Sequence, residues 1–414
     1  MTGPADTGPA ADTGRAAESS TASSTGTATT AHIRLLMCCS ATSSFDRFVI
    51  GPLLLTIAAA FGAPLSRVAA VASVYFLCYG LSQPVWGWCS DRLGRVRTMR
   101  LTLAVASVGG LASAVAPDLL MLAGARAVTG AAIAAVVPAT LVYVGDSVPF
   151  AVRQRTLTDL NAATAVGITL ATALGGVLAA AVSWRVAFLV PAAAAAALVV
   201  GLRRLPEPPR NAGPQGGFGA VLRHRWAVLV LLLTLVEGSA LLGFLTYLAP
   251  ALESGGYSPT VAGGLVALYG IGLLVASRVV KRRAGRTRPW VFLAAGSAAL
   301  AVAYALVANS QGPLAVGTGA LLIGGAWAAM HSTMQAWATE VIPQARASMV
   351  SLFASMLFIG SGLATAGLAP LAGASRWAPL FAVGVVLALV FGLAATVLRR
   401  RYGADRAAAT TVGT

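Results

Sequence analysis

Two ionisable side chains of this sequence lie deep inside long apolar segments, where a charged group is energetically unfavourable. Asp46 lies in the run Ser-Phe-Asp-Arg-Phe, and Arg126 begins the run Arg-Ala-Val-Thr-Gly. A charged side chain at the centre of a bilayer is costly and marks an ion or proton pathway by default. At ~1.5 Å per helical residue, Asp46 lies roughly 20 Å from the inner edge of a ~30 Å hydrocarbon core, and Arg126 lies roughly 10 Å from the outer edge. The two side chains can therefore meet at one depth.

A pair formed by Asp46 and Arg126 has two interpretations. In the first, protonation of Asp46 is coupled to release of Arg126, so that the pair couples a proton to a change of conformation. In the second, a permanent ion pair joins two helices. We favour the first because a buried ion pair adds little stability compared with apolar residues of the same volume.

Three polar side chains lie in apolar segments of the second half of the chain. Glu237 could bind a proton or a cationic group of a substrate, or it is a carboxyl group that burial keeps neutral. His331 and Gln335 are one helical turn apart and could line a cavity. A lone histidine in an apolar helix is more often packed and hydrogen-bonded, and we favour that role for His331.

Tyr75, Tyr79 and Gln83 form a polar stripe at helical spacing in the second apolar segment. The stripe could face a substrate. It could equally pack against the eleventh segment, and the sequence favours neither alternative.

A charged cluster occupies 87–97, in the run Gly-Trp-Cys-Ser-Asp-Arg-Leu-Gly-Arg-Val-Arg between two apolar segments. We expect a tight turn whose arginines lie at an anionic membrane surface. In this turn Asp91 can accept hydrogen bonds from the N-terminus of a neighbouring helix. Gly87 allows close helix approach, and Gly94 supplies a bend that other residues resist.

This cluster resembles the signature loop of the major facilitator superfamily, which joins the second and third helices of that fold. The shared spacing, G-x-x-x-D-R-x-G-R, is formed by Gly87, Asp91, Arg92, Gly94 and Arg95. The resemblance covers about 33 to 400. It implies two pseudo-symmetric six-helix bundles around a central cavity that opens alternately to each side of the membrane.

Three shorter features also bear on the resemblance. Asp46 resembles the acidic position on the first helix of drug:proton antiporters of the superfamily. Arg126 and Gly130 resemble its fourth-helix motif R-x-x-x-G. The fifth-helix motif of those antiporters ends Gly-Pro-x-x-Gly-Gly. Here Ala171-Thr172 replaces Gly-Pro, whereas Gly175 and Gly176 are kept and allow close helix packing.

Composition indicates a membrane protein that crosses the bilayer many times. The 414 residues are 57% hydrophobic and 10% charged, whereas a soluble domain is about 25% charged. The net charge of +16 comes from short basic clusters between apolar segments rather than from one basic domain, so it does not indicate nucleic-acid binding. No alternating strand pattern appears, so the spans are predicted to be helices.

We predict twelve spans, each near the ~20 residues that a bilayer requires. They lie at about 33–60, 66–88, 99–116, 119–144, 157–181, 184–204, 226–251, 259–279, 290–308, 313–338, 347–371 and 376–398. The segment 1–31 contains almost no large apolar side chain and is predicted to be a disordered tail, and 401–414 forms a second tail. With both termini in the cytoplasm, all but five of the 29 Lys and Arg residues fall in cytoplasmic segments.

The spans form two halves, 32–204 and 226–400, joined by a Pro-, Gly- and Arg-rich linker at 205–225. Short matches recur between the halves at shifts of 191 to 194 residues, which indicates an internal repeat. Six helices per half makes the repeat parallel, about an axis along the membrane normal. The charged cluster is degenerate in the second half, where Arg282 occupies the position aligned with Asp91.

The sequence favours secondary transport over catalysis. Its only lysine, Lys281, is not part of a phosphate-binding loop, and the chain lacks nucleophile, zinc or paired-cysteine motifs, so we expect no enzyme activity, metal or cofactor. We expect a monomer in the plasma membrane that exports a small, partly apolar molecule in exchange for protons. Uptake of a metabolite by proton symport or uniport is the alternative. A membrane sensor without transport is disfavoured by the acidic groups at mid-depth in both halves.

Overall fold

The computed structural model describes residues 14–148, 150–208 and 217–412. Throughout these ranges the secondary structure is helical, with no strand. Twelve long helices account for most of the chain, several of them interrupted by a turn or a π-helical segment. Short helices lie at Gly51–Leu53, Leu202–Arg204, Phe218–Arg223 and Pro343–Ala345.

The first bundle contains six long helices. They are α1 (Gly14–Phe48, continued by Leu54–Phe61), α2 (Leu65–Leu93), α3 (Arg95–Ala114), α4 (Leu119–Ile133, continued by Val136–Ser147), α5 (Phe150–Ala181) and α6 (Trp184–Gly201).

The second bundle also contains six long helices. They are α7 (Arg225–Gly238, then Ser239–Gly243 in π form and Leu248–Glu253), α8 (Pro259–Val266, continued by Leu268–Arg283), α9 (Pro289–Asn309), α10 (Pro313–Ala326, then Trp327–His331 in π form and Ser332–Val341), α11 (Arg346–Gly373) and α12 (Trp377–Val412).

Eleven helices in the described ranges are long and apolar enough to cross a membrane. The predicted third span, 99–116, corresponds to α3, which is not among the eleven. Arg95, Arg97 and Arg100 occupy the start of this 20-residue helix and shorten its apolar part. The fold is the expected all-helical one, and the twelfth crossing stays a prediction.

The predicted tails and linker overlap helices at their edges. Helix α1 begins at Gly14, within the segment 1–31 that the sequence predicts to be a disordered tail, and the boundary of that tail stays a prediction. Residues 1–13 lie outside the described residues. In the predicted linker, Phe218–Arg223 is a short helix, and 209–216 lie outside the described residues. Helix α12 continues through most of 401–414.

Helix packing repeats between the two bundles. Helix α1 packs on α5 as α7 packs on α11, α2 packs on α4 as α8 packs on α10, and α3 packs on α6 as α9 packs on α12. The two largest contacts between the bundles, α2 with α11 and α5 with α8, are counterparts of each other. The two bundles are therefore pseudo-symmetric, as the repeat in the sequence predicts.

Four of the helix interruptions form two corresponding pairs. Helix α1 is broken between Phe48 and Leu54, and its counterpart α7 is irregular from Ser239 to Leu248. Helix α4 is broken at 134–135, and its counterpart α10 contains a π-helical turn at Trp327–His331. Transporters place discontinuous helices at their substrate and ion sites, where the irregular backbone lines a cavity. These four interruptions therefore mark the region in which to look for a site.

Glycines bring α5 and α8 into backbone contact across the two bundles. A Cβ atom on Gly176 would clash with the carbonyl oxygen of Pro259, and one on Gly263 would clash with that of Thr172. Only a glycine fits at this separation. The bundles are therefore closely packed at this end of the molecule, which the arginine distribution predicts to be the outer end.

Candidate functional site

Asp46 and Arg126 form a buried ion pair between α1 and α4. The guanidinium donates to both carboxylate oxygens of Asp46, with Nη1 2.8 Å from Oδ1 and Nη2 3.0 Å from Oδ2. Arg126 Nη2 also lies 2.9 Å from the backbone oxygen of Asp46, and the hydroxyl of Tyr75 donates to Oδ2 at 2.9 Å. Arg126 is fully buried and Asp46 is 2% exposed. The pair therefore connects α1, α2 and α4 through direct hydrogen bonds.

Aromatic rings enclose the Arg126 guanidinium. Its central carbon lies 4.4 Å from the ring centre of Tyr75 and 4.9 Å from that of Phe188 on α6. These cation–π contacts and the carboxylate together compensate the charge of Arg126. The carboxylate of Asp46 thus accepts three hydrogen bonds, two from the guanidinium of Arg126 and one from the hydroxyl of Tyr75.

Arg47 is a second buried arginine, and sequence analysis did not include it among the site residues. It is 7% exposed, its Nη1 donates to the Tyr79 hydroxyl at 3.2 Å and its Nη2 donates to Ser44 at 3.1 Å. The rings of Phe48, Tyr79 and Phe358 surround its guanidinium at 5.0–5.3 Å. The signal that locates Asp46, a charge in the middle of an apolar span, applies equally to Arg47.

The side chain of Arg47 reaches a small cavity between the two bundles. The cavity offers about 20 Å³, enough for a single water molecule. Its walls come from the interrupted part of α1, from α2 and α5, and from α7 and α8 of the second bundle. The lining residues are Arg47, Phe48, Ile50, Gly51, Pro52, Phe76, Thr172, Leu245, Thr246, Ala249 and Val266. Arg47 is the only charged group among them.

Glu237 and His331 face each other within the second bundle, on α7 and α10. His331 Nδ1 lies 3.5 Å from Glu237 Oε1, a distance within ion-pair range at which no hydrogen bond forms. Glu237 is fully buried, and neither of its carboxylate oxygens has a hydrogen-bond partner. The imidazole stacks on Trp327, with 4.2 Å between the ring centres. The structure thus brings together two residues that sequence analysis considered separately.

The remaining polar residues of the expected cavity have different surroundings. Tyr79 packs on Phe358 of α11, with 4.2 Å between ring centres, and its hydroxyl accepts from Arg47. Gln83 is buried and donates to the backbone oxygen of Ala134, at the break in α4. Gln335 is exposed, one turn beyond His331. The stripe on α2 therefore packs against α11 through Tyr79, which is one of the two alternatives that the sequence allows, and its contact with a substrate stays a prediction.

The charged cluster is mostly helical, and the tight turn between its two helices is formed by Gly94 alone. Helix α2 continues to Leu93 and α3 begins at Arg95, so Gly94 alone joins them, with a φ of +103° that favours glycine. Arg95 donates to Asp91 at 2.5 Å and lies 3.5 Å from Asp146 of α4. Gly87 lies opposite Ser351 of α11 at ordinary contact distance.

Glu207, rather than Asp91, accepts the hydrogen bonds of a helix N-terminus here. Its carboxylate accepts from the backbone amides of Val96 and Arg97 at 3.1–3.2 Å, which are orphan donors of the first turn of α3. The expected contact of Asp91 with a helix N-terminus is therefore wrong for this structure, because the Arg95 guanidinium, which lies across the junction at Gly94, donates to the Asp91 carboxylate. Arg92 lies over the ring of Trp88, 3.9 Å from its centre.

The other glycines singled out in the sequence lie at close helix contacts. A Cβ on Gly130 of α4 would come within 2.6 Å of the Tyr75 backbone oxygen on α2. A Cβ on Gly175 would lie 3.0 Å from Pro52, beside the break in α1. Both glycines therefore allow close packing of the helices that carry the Asp46–Arg126 pair and line the cavity.

Neither a metal-binding cluster nor the apolar groove on the surface adds a further site among the described residues. Within the described ranges no cluster of three or more His, Cys, Asp or Glu residues could hold a metal ion. A wide groove between α3 and α4 is lined by apolar and small residues such as Val105, Val108 and Val128. Two of these, Val108 and Val128, are at least half exposed, which is typical of a surface that contacts lipid tails.

Comparison with curated proteins finds transporters. The chain is 30% identical over 130 residues to the triacylglyceride transporter of Mycobacteroides abscessus, a match that covers 31% of this chain and 25% of that protein. It is 26% identical over 237 residues to the efflux pump apf11 of Gibberella fujikuroi, a match that covers 55% of this chain and 41% of the pump. These matches span less than half of the relatives' length.

Solved structures and a family model agree with these matches. A bacterial homolog of the human lysosomal transporter Spinster, inward-facing and unoccupied, superposes with a TM-score of 0.73 at 17% identity, over 90% of this chain and 97% of that one. The D-xylose-proton symporter superposes with a TM-score of 0.74 at 14% identity, over 89% of this chain and 96% of the symporter. The family model for the Major Facilitator Superfamily matches 36–365. The chain belongs to the major facilitator superfamily and is a multi-pass membrane transporter.

Proposed function

We propose that the chain is a secondary transporter that exports a small, partly apolar molecule in exchange for protons. The observation that carries the proposal is the buried ion pair of Asp46 and Arg126 in the first bundle. A dry pair of this kind is expensive to build, and it is not needed to hold two apolar helices together. Asp46 is therefore the residue that we propose to bind the proton.

The position of the pair supports coupling to the movement of the bundles. Tyr75, which donates to Asp46, lies on α2, and α2 packs on α11 across the interface between the bundles. The residue after Asp46, Arg47, lies at the cavity between them. Protonation of Asp46 weakens its attraction to Arg126 and changes the charge next to the interface. A proton bound here can thus alter which side of the cavity is open.

Export is supported by the curated relatives. The efflux pump apf11 matches over the longest stretch of those compared, about half of this chain. We further propose that the protein acts as a monomer in the plasma membrane with both termini in the cytoplasm. The basic clusters support this orientation, since all but five of the 29 Lys and Arg residues would then be cytoplasmic.

Uptake by proton symport, or uniport, is the second candidate. It is favoured by α5, where Ala171 and Thr172 stand in place of the Gly-Pro pair of the antiporter motif. Ala171 is fully buried and Thr172 lines the inter-bundle cavity, donating back to the carbonyl oxygens of its own helix. An uninterrupted α5 at this point differs from what the antiporter motif leads us to expect.

A proton-flux measurement distinguishes the candidates. Tolerance of cells with and without the gene, across a panel of antibiotics and metabolite analogues, first supplies a transported compound. The compound is then added outside proteoliposomes that contain a pH-sensitive dye, with protein-free liposomes as the control for passive permeation. Antiport will make the lumen more alkaline, because protons leave as the compound enters. Symport will acidify the lumen, and the lack of any protein-dependent pH change would overturn proton coupling.

A further inference from the structure

We propose that Arg47 binds an anionic group of the substrate, so that the transported molecule is a small organic anion with an apolar body. The inference rests on the proposed transport function and names its substrate class. It follows from a buried positive charge that has no ion-pair partner among the described residues.

No carboxylate neutralises Arg47 within the described part of the chain. The ion pairs found there involve Arg95, Arg126, Arg225, Arg399 and His331, and none involves Arg47. Its neighbour Asp46 points away toward Arg126, since consecutive side chains on a helix diverge by about 100°. An uncompensated charge in a membrane interior is costly, so such residues are rare and serve a ligand or an ion pathway.

The free donors of Arg47 suit a carboxylate. Tyr79 accepts one hydrogen bond from Nη1 of Arg47, and Ser44 accepts one from Nη2. The Nε atom has no hydrogen-bond partner although it is buried. A guanidinium has five N–H donors in a planar fork that matches the two oxygens of a carboxylate. The aromatic rings of Phe48, Tyr79 and Phe358 fix the plane of the fork.

Apolar walls around the fork define the rest of the substrate. Of the residues that line the cavity, Thr172 and Thr246 carry hydroxyl groups, and both hydroxyls donate within their own helices. The other side chains of the cavity, among them Phe76 and Leu245, are apolar. A molecule bound here would pair its charge with Arg47 and bury a hydrocarbon or aromatic body against both bundles.

The cavity is small in this structure. Its volume of about 20 Å³ is far below the roughly 300–1,000 Å³ of pockets for drug-sized ligands. Because residues of both bundles line it, separation of the bundles enlarges it. Alternating access, which opens a gap between the bundles on one side at a time, would therefore expose Arg47.

An anionic substrate has a consequence for coupling. A proton on Asp46 removes a negative charge next to Arg47, so proton and anion strengthen each other's binding. That linkage is the one that a symporter needs, so under the second candidate function the proton and the anion would enter together. Under export in exchange for protons, the membrane potential would add to the driving force, since an inside-negative potential drives anions outward.

The test compares carboxylates with their neutral amides on the purified protein. Thermal unfolding is followed by tryptophan fluorescence with benzoate or benzamide, and with hexanoate or hexanamide, at constant sodium concentration. We expect both carboxylates to raise the melting temperature and both amides to leave it unchanged. Arg47→Gln should weaken carboxylate binding roughly 10- to 100-fold, since it removes charge-assisted hydrogen bonds. Arg67→Gln, an exposed arginine outside the cavity, is the matched control.

Two outcomes would overturn the proposal. One is equal stabilisation by carboxylates and amides, or none by either. The other is unchanged carboxylate binding in Arg47→Gln. If that variant does not fold, Arg47→Lys keeps the charge without the fork and should retain only part of the stabilisation. The test needs no flux, so its failure is distinct from failure of the proposed function: carboxylate binding without transport would refute transport alone.

Discussion

The carboxylate of Glu237 and the imidazole of His331 lie 3.5 Å apart without a hydrogen bond, whereas Asp46 is held by Arg126 at three points. Glu237 follows Asp46 by 191 residues and lies on the corresponding helix of the second bundle. The two bundles therefore carry acidic groups on corresponding helices, of which Asp46 is fully hydrogen-bonded and Glu237 has no hydrogen-bond partner. An unsatisfied carboxyl group costs stability, while a satisfied ion pair is damaged by removal of either member.

Neutral substitutions should affect these two carboxyl groups differently. Glu237→Gln should leave the melting temperature unchanged or raise it, because no hydrogen bond is lost with the charge. Asp46→Asn should lower it, because Arg126 then keeps a buried charge with a weaker partner. Thermal unfolding of the two variants in one detergent checks the difference. A lower melting temperature for Glu237→Gln than for Asp46→Asn would contradict this reading of the two sites.

Loss of Arg126 should be more damaging than loss of the Asp46 charge. Arg126→Ala removes two of the three donors to the Asp46 carboxylate and leaves that group buried without a counter-charge. The expected cost is roughly 3–5 kcal/mol of unfolding free energy. An asparagine at 46 keeps an acceptor for the guanidinium, and Tyr75 and Phe188 still contact it. Equal membrane abundance of Arg126→Ala and wild-type protein would show that the pair contributes little to folding.

Asp91→Asn should leave the protein inserted in the membrane and impair transport. The substitution keeps the size of the side chain but weakens its pairing with Arg95, which also approaches Asp146 of α4. Arg282, at the aligned place in the second bundle, forms no ion pair among the described residues, so Arg282→Gln is the matched control. Transport rates are compared at equal membrane abundance. Normal rates for Asp91→Asn, or an equal loss in both variants, would refute this role.

Adjacent glycines on α8 allow a test of the contact between the bundles. A Cβ on Gly263 would clash with the carbonyl oxygen of Thr172 on α5, whereas a Cβ on Gly264 meets open space. Gly263→Ala should therefore destabilise the closed arrangement by about 1–3 kcal/mol. Gly264→Ala should be neutral or stabilise its helix by up to about 1 kcal/mol. Cross-linking or fluorescence distances between α5 and α8 would show an increased separation in the first variant alone.

Particular residues show what the sequence could and could not predict. The ion pair of Asp46 and Arg126 followed from charge in apolar spans and from depth along a helix, which are local quantities. Arg47 satisfies the same rule, but whether it belongs to a site depends on which face of α1 contacts the other bundle. No pattern within one helix specifies that face. The capping of α3 by Glu207 joins segments more than a hundred residues apart. Such a contact depends on tertiary structure rather than on spacing.

The helix interruptions could not be predicted from the sequence for a related reason. The breaks in α1 and α4 and the π-helical turns in α7 and α10 occur in apolar runs without a consistent Pro or Gly signal. Tertiary packing overrides local helix propensity there. The internal repeat could have indicated them, because an irregularity in one half predicts one at the equivalent place in the other.

Transport by Asp46→Asn under an imposed pH gradient is the sharpest test of proton coupling through this carboxylate. An amide mimics the protonated carboxyl in shape but cannot release a proton, so the cavity should still form and reorient. Proteoliposomes with wild-type protein should concentrate the compound identified in the tolerance panel against its gradient. With Asp46→Asn, uphill transport should be lost while downhill exchange partly survives. Accumulation by the variant at the wild-type level would contradict the assignment and would make Glu237 the next candidate for the proton site.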